Sequence, residues 1–98
     1  MDIGPSTMST PSSEIEIYTT LFCPFCIRAK KLLDSKRVMY HETDVTTRLS
    51  LRKAMTERAG GRTSVPQIFI DGQHIGGCND LLALERSGQL DRLLQVAC

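Results

Sequence analysis

The chain has 98 residues, 41% of them apolar, and a formal net charge of +1 with both histidines neutral. This suits one small domain with a single core, and so even a charge balance leaves no basic face for nucleic acid. Its longest apolar runs, such as 65–70, are too short to cross a bilayer.

Residues 1–13 are small and polar, broken by Pro5 and Pro11, and the expectation is a disordered tail before one domain at 14–98. The N-terminus lacks the basic-then-apolar pattern of a secretory leader. The expected location is therefore the cytoplasm, where structural disulfides are rare. The four cysteines read first as metal ligands, catalytic groups or plain buried residues.

Glu14 to Tyr18 alternates strictly and predicts a strand. From Pro24 to about Arg37 the pattern turns helical, with Ile27, Ala29, Leu32 and Leu33 inward and Arg28, Lys30, Lys31 and Lys36 on the other side. Val38 to Val45 begins as a second strand, with Met39 as core filling. Thr46 or Thr47 then caps a helix running to about Ala59, with Leu51, Ala54 and Met55 inward. Gly60-Gly61 stops it. Gln67 to Ile70, the Asp71-Gly72 pair and Gln73 to Ile75 predict a hairpin with a primed turn. Asn79 caps a helix from Asp80 to Ser87, Gly88 ends it, and a short helix from Leu90 to Val96 closes the chain. A βαβ unit joins parallel strands, and the hairpin adds an antiparallel pair. The fold class is thus α/β, a four-stranded mixed sheet flanked by helices, with ligands expected at the carboxyl ends of the parallel strands.

Cys23-Pro24-Phe25-Cys26 lies at that end. Pro24 suits the first helical position, which makes Cys23 the N-cap and Cys26 the third helical residue. The spacing matches a capping box, so both sulfurs approach each other. A free thiol titrates near ~8.5. The unpaired amides and positive dipole end of a helix start favour the thiolate, and Arg28, Lys30 and Lys31 add positive potential. Cys23 is therefore expected to attack and Cys26 to resolve. A disulfide closing so short a loop contributes only about 2 kcal/mol, against about 3 for fifteen residues. That argues against a mere staple. A zinc site remains open on the residues alone, because Cys23, Cys26, His74 and Cys78 make an acceptable ligand set. Two features oppose it: the first pair opens a helix directly, and Pro24 removes an amide donor.

Glu16-Ile17-Tyr18-Thr19, Cys23-Pro24-Phe25-Cys26, Ser64-Val65-Pro66 and Gly76-Gly77-Cys78-Asn79-Asp80 together resemble the bacterial dithiol glutaredoxins. The resemblance runs in order from about Glu14 to Leu94. It implies a thioredoxin-like fold, catalytic Cys23 and Cys26, glutathione as co-substrate with no metal, and oxidised or glutathionylated proteins as partners of a monomer. It also implies a cis bond between Val65 and Pro66, where residues alone favour an ordinary strand-start proline. The Val65 backbone would then pair with the cysteinyl part of glutathione.

The remaining contacts implied are Ser64, Gly77 and Cys78 lining the groove, Phe25 as an apolar wall, and the helix start at Asn79 for the γ-glutamyl carboxylate. Asp80 would take the ammonium. Arg62, or failing it Arg58, would take the glycyl carboxylate. Thr20 stands where the family commonly has Lys, Phe25 where it often has Tyr, and Asn79 where it frequently has Asp. His41 and His74 read as strand residues, and Cys98 as an incidental terminal thiol. An iron–sulfur carrier, bridging two subunits through Cys23, is a second possibility that Pro24 opposes, since cluster-holding relatives usually carry a small residue there.

Overall fold

The protein is described by a computed structural model, which covers residues 13–95. Its elements follow the expected order: β1 (Ile15–Thr19), α1 (Pro24–Ser35), β2 (His41–Asp44), α2 (Leu49–Arg58), β3 (Gln67–Ile70), β4 (Gln73–Gly76), α3 (Cys78–Arg86) and α4 (Gln89–Leu94). The strands form one sheet in the order β2-β1-β3-β4. β1 and β2 are parallel, while β3 runs antiparallel to both β1 and β4. The tight turn between β3 and β4 has positive φ at both Asp71 (52°) and Gly72 (80°), as a primed turn requires.

Strand alternation divides the sheet into two faces. Ile15, Ile17, Ile68 and Ile70 point to one, where they pack with Ala29 and Leu33 of α1, Leu81 of α3, and Leu90 and Leu94 of α4. Each such buried aliphatic side chain contributes roughly 1.5–3 kcal/mol. Phe69 pairs with Glu16 across the ladder and so faces the other side. There the Arg58 guanidinium lies 4.1 Å above its ring, and Tyr18 meets it edge-on at 5.8 Å. α2 therefore covers this second face.

Several expectations are corrected at the ends of elements. β2 starts at His41 rather than Val38, because ladder pairing begins only where Glu16 meets His41. Met39 consequently belongs to a connection and is 90% exposed instead of filling the core. α1 buries Cys26, Ala29 and Leu33. Ile27 falls off that stripe and is 49% exposed. α2 buries Met55, with Ala59 just beyond it, so Ala54 is exposed and Leu51 half-buried. Its N-cap is Arg48, with no side-chain cap. Thr46 instead takes the Leu21 amide at 2.9 Å and bonds to Asp44. α3 starts two residues early, at Cys78 rather than Asp80, capped at Gly77 rather than Asn79. Ser13, assigned to the tail, is buried and donates to the Leu93 carbonyl. Residues 1–12, Val96 and Cys98 lie outside the described residues.

Candidate functional site

β1 ends at Thr19, and three residues carry the chain to Cys23, the N-cap of α1. The Leu21 amide bonded to Thr46 ties this loop to the segment after β2. Cys23 takes the extended conformation of an N-cap (φ −105°, ψ 110°), and Pro24 occupies the first helical position. The Cys26 N–H donates to Cys23 Sγ at 3.4 Å. The sulfur thus receives a helix-start amide that would otherwise lack an acceptor.

The two sulfurs sit in contrasting surroundings. Partial burial pulls the Cys23 thiol upward, but the Cys26 thiol, the Cys26 and Phe25 amides and the Thr20 hydroxyl outweigh it and bring it below the ordinary value. Cys26 is 1% exposed. Burial first, and donation to the Cys23 sulfur second, push its thiol up to about 12. The arrangement is a half-exposed thiol whose ionised form is favoured, backed by a buried thiol that stays protonated at neutral pH. The neighbouring cations matter less than expected. Lys30 is paired with Glu42 at 2.9 Å, and Arg28 lies over the Phe25 ring, 5.7 Å from its centroid.

Opposite Cys23 the Val65–Pro66 bond is cis, and the Val65 carbonyl lies 3.9 Å from Cys23 Sγ. Beside it opens a cleft of about 180 Å³. Phe25 forms one wall, and Ser64, Val65 and Pro66 line a second. Gly77, Cys78, Asn79 and Asp80 at the start of α3 line a third, with Arg62 completing it. Nine of the ten positions expected to meet glutathione are thereby gathered around one cavity. Thr20 is the exception; it stands beside the two sulfurs. Arg58, the alternative cation, is held by Glu16 and the Tyr18 hydroxyl, each at 2.8 Å, and does not line the cleft.

The cleft carries a pairing that sequence reasoning missed. Asp80 Oδ2 accepts the Gly77 N–H at 2.8 Å and the Arg62 guanidinium at 3.0 Å. These two donors, in that order, hold its carboxyl below the usual range. Gly77 sits close to the cis-proline segment: a Cβ there would press on the Pro66 carbonyl at 3.3 Å and make ordinary contact with Arg62 Nη2 at 3.5 Å. The signal was available as Gly-Gly followed three residues on by Asp, the spacing of a carboxylate that closes a helix start. Cys78 is 4% exposed, and burial pushes its thiol up. The suggested zinc set does not assemble. His74 Nε2 lies 2.6 Å from Gln67 Oε1, and among the described residues no three His, Cys, Asp or Glu side chains converge to hold a metal.

The glutaredoxin family model matches residues 15–75. The chain is 53% identical to glutaredoxin 3 of Escherichia coli over 83 residues, covering 85% of this chain and 99% of that protein. It is 51% identical to glutaredoxin 1 of Rickettsia typhi, covering 84% of this chain and 80% of the other. The chain belongs to the glutaredoxin family. Its backbone agrees: the glutaredoxin of Brucella melitensis superposes with a TM-score of 0.76 at 46% identity, over 93% of this chain and 94% of that one. A buckwheat glutaredoxin–glutathione complex superposes with a TM-score of 0.78 at 28% identity, over 85% and 77%. The fold is therefore thioredoxin-like, and this glutaredoxin is a glutathione-dependent thiol oxidoreductase. No described helix is long and apolar enough to cross a membrane.

Proposed function

We propose that Cys-Pro-Phe-Cys is the redox centre, acting on protein–glutathione mixed disulfides and on protein disulfides. The observation that carries this reading is the asymmetry of the pair: Cys23 half-exposed with an amide on its sulfur, Cys26 buried and protonated behind it. The Cys23 thiolate attacks the glutathione sulfur of a mixed disulfide. The client leaves as a thiolate, and glutathione remains disulfide-bonded to Cys23. The thiolate of a second glutathione then attacks that bond, releasing oxidised glutathione and restoring the Cys23 thiolate. With a protein disulfide, the Cys23 thiolate attacks one client sulfur, the client's S–S bond breaks, and its other sulfur is released as a thiolate. Cys26 loses its proton, attacks Cys23 Sγ and expels the client thiolate. Two glutathiones reduce the resulting Cys23–Cys26 disulfide.

Glutathione fits the cleft by charge. Its cysteinyl main chain pairs with the Val65 backbone. Its ammonium goes to Asp80, its γ-glutamyl carboxylate to the α3 start at Asn79, and its glycyl carboxylate to Arg62. Ser64, Pro66, Gly77 and Cys78 shape the walls, Phe25 shields the sulfur, and Thr20 supports the thiolate. The domain acts as a monomer in the cytoplasm. Cys26→Ser tests the reading. It should keep turnover of a small glutathione mixed disulfide, lose reduction of an intramolecular client disulfide, and show one glutathione on Cys23 by mass spectrometry. Modification at any other cysteine, or unimpaired reduction of the client disulfide, would refute it.

A further inference from the structure

Phe22 precedes the nucleophile directly, is 94% exposed, and has a φ of 59°. A bulky side chain is disfavoured in that left-handed region, and nothing in the fold buries the ring. Leu21 beside it is 59% exposed. Across Cys23, the outer side of α1 carries a shallow groove of about 280 Å³ lined by Pro24, Ile27, Arg28 and Lys31. Ile27 offers it half an aliphatic side chain. No carboxylate lines it, and among the described residues neither Arg28 nor Lys31 forms an ion pair, whereas Lys30 and Lys36 on the same helix do. Apolar surface and, among the described residues, positive charge outside any ion pair thus lie beside Cys23, on the residues before it and on the first turns of α1.

From this juxtaposition we propose that Phe22, Ile27, Arg28 and Lys31 dock the client polypeptide, selecting segments with an apolar side chain and a carboxylate next to the reacting cysteine. The inference rests on the redox reading of Cys23 and names its client class. Continuity with the nucleophile decides the occupant. A client disulfide-bonded to Cys23, or to glutathione held in the cleft of Phe25, Val65 and Asp80, keeps its chain near Cys23, and the exposed residues beside Cys23 are within its reach. Charge complementarity decides the rest: two unpaired cations ask for acid, and the exposed ring and Ile27 ask for an apolar neighbour.

The test compares glutathionylated peptides that carry Leu and Glu, Leu and Lys, or Ser and Lys around one cysteine, with a small glutathione mixed disulfide as reference. The Leu–Glu peptide should have a KM about tenfold below that of the Ser–Lys peptide, the scale of one or two peripheral contacts. Phe22→Asn combined with Ile27→Ser should erase the preference for the Leu–Lys over the Ser–Lys peptide and leave the small substrate unchanged. Asn tolerates the left-handed conformation, so the variant should melt no lower than the parent. Equal KM values for all peptides would overturn the docking surface while leaving the redox reading intact. No turnover of even the small substrate would refute the redox reading and the docking surface with it. A concentration-dependent mass in sedimentation, abolished by the two substitutions, would assign the face to a second copy of the chain and likewise overturn the proposal.

Discussion

Two helix starts face the same cleft, and they are finished differently. At α1 the N-cap is Cys23, whose sulfur accepts the Cys26 amide, and the first turn holds no acidic residue. At α3 the N-cap is Gly77, and Asp80 in the first turn takes Gly77's own amide. Where the amide is left to sulfur, the helix start lowers a thiol, as the proposed nucleophile requires. Where a carboxylate takes the amide, the same end becomes a corner for recognition, with the negative charge fixed and Arg62 drawn against it. In the proposed function one backbone device thus serves chemistry on one side and binding on the other, and the difference is which group takes the amide.

Breaking the first start should have the largest effect. Cys23→Ser leaves a hydroxyl at the cap, which can still accept an amide but is not a nucleophile at neutral pH. Turnover of glutathione mixed disulfides should fall by at least about a thousandfold in a coupled assay, with the melting temperature little changed. Disturbing the second start should act on stability. Gly76 has a φ of 121°, and a Cβ there would fall 2.3 Å from Asp80 Oδ2 and 2.9 Å from Asp80 Cβ. Gly76→Ala should therefore cost about 1–3 kcal/mol in chemical denaturation.

Asp80→Asn is gentler. It keeps the shape and removes the charge offered to an ammonium, so KM for glutathione should rise about tenfold with little change in the maximal rate. The smallest change to measure is protonation. The thiolate fraction of Cys23 grows as pH rises through its lowered pKa, so alkylation should reach its midpoint below the ~8.5 of a free thiol. Cys26 should stay unlabelled across that range, its own titration lying near about 12. A Cys23 midpoint like that of a loose peptide would erase the contrast between the two starts.

Much of this was legible in the sequence. Glu14 to Tyr18 declared a strand by alternation, Asp71-Gly72 declared the turn, and Pro24 placed Cys23 at a cap. The walls of the cleft were found through resemblance, since no local rule brings Ser64 beside Asp80. What stayed hidden depended on tertiary context. Met39 is apolar, but the ladder begins two residues after it. Ile27 has the right residue type but lies one position off the stripe set by Cys26, Ala29 and Leu33. Thr46 has the chemistry of a cap, yet its hydroxyl is taken by the loop before Cys23. Asn79 was preferred over Gly77 as a cap because side-chain propensity says nothing of a glycine whose amide is served by a carboxylate three residues ahead.

β2, the outermost strand beside β1, is only four residues long, and its sequence is His-Glu-Thr-Asp with three of the four exposed. A border this brief, with two carboxylates on it, offers poor purchase for a foreign strand. In the proposed cycle the protein is tethered for a time to an oxidised client, and a partly unfolded client could otherwise extend it into an aggregate. Here the β2 edge resists templating, so beyond side-chain docking the attachment on this side of the sheet is left to a bond that thiols can undo.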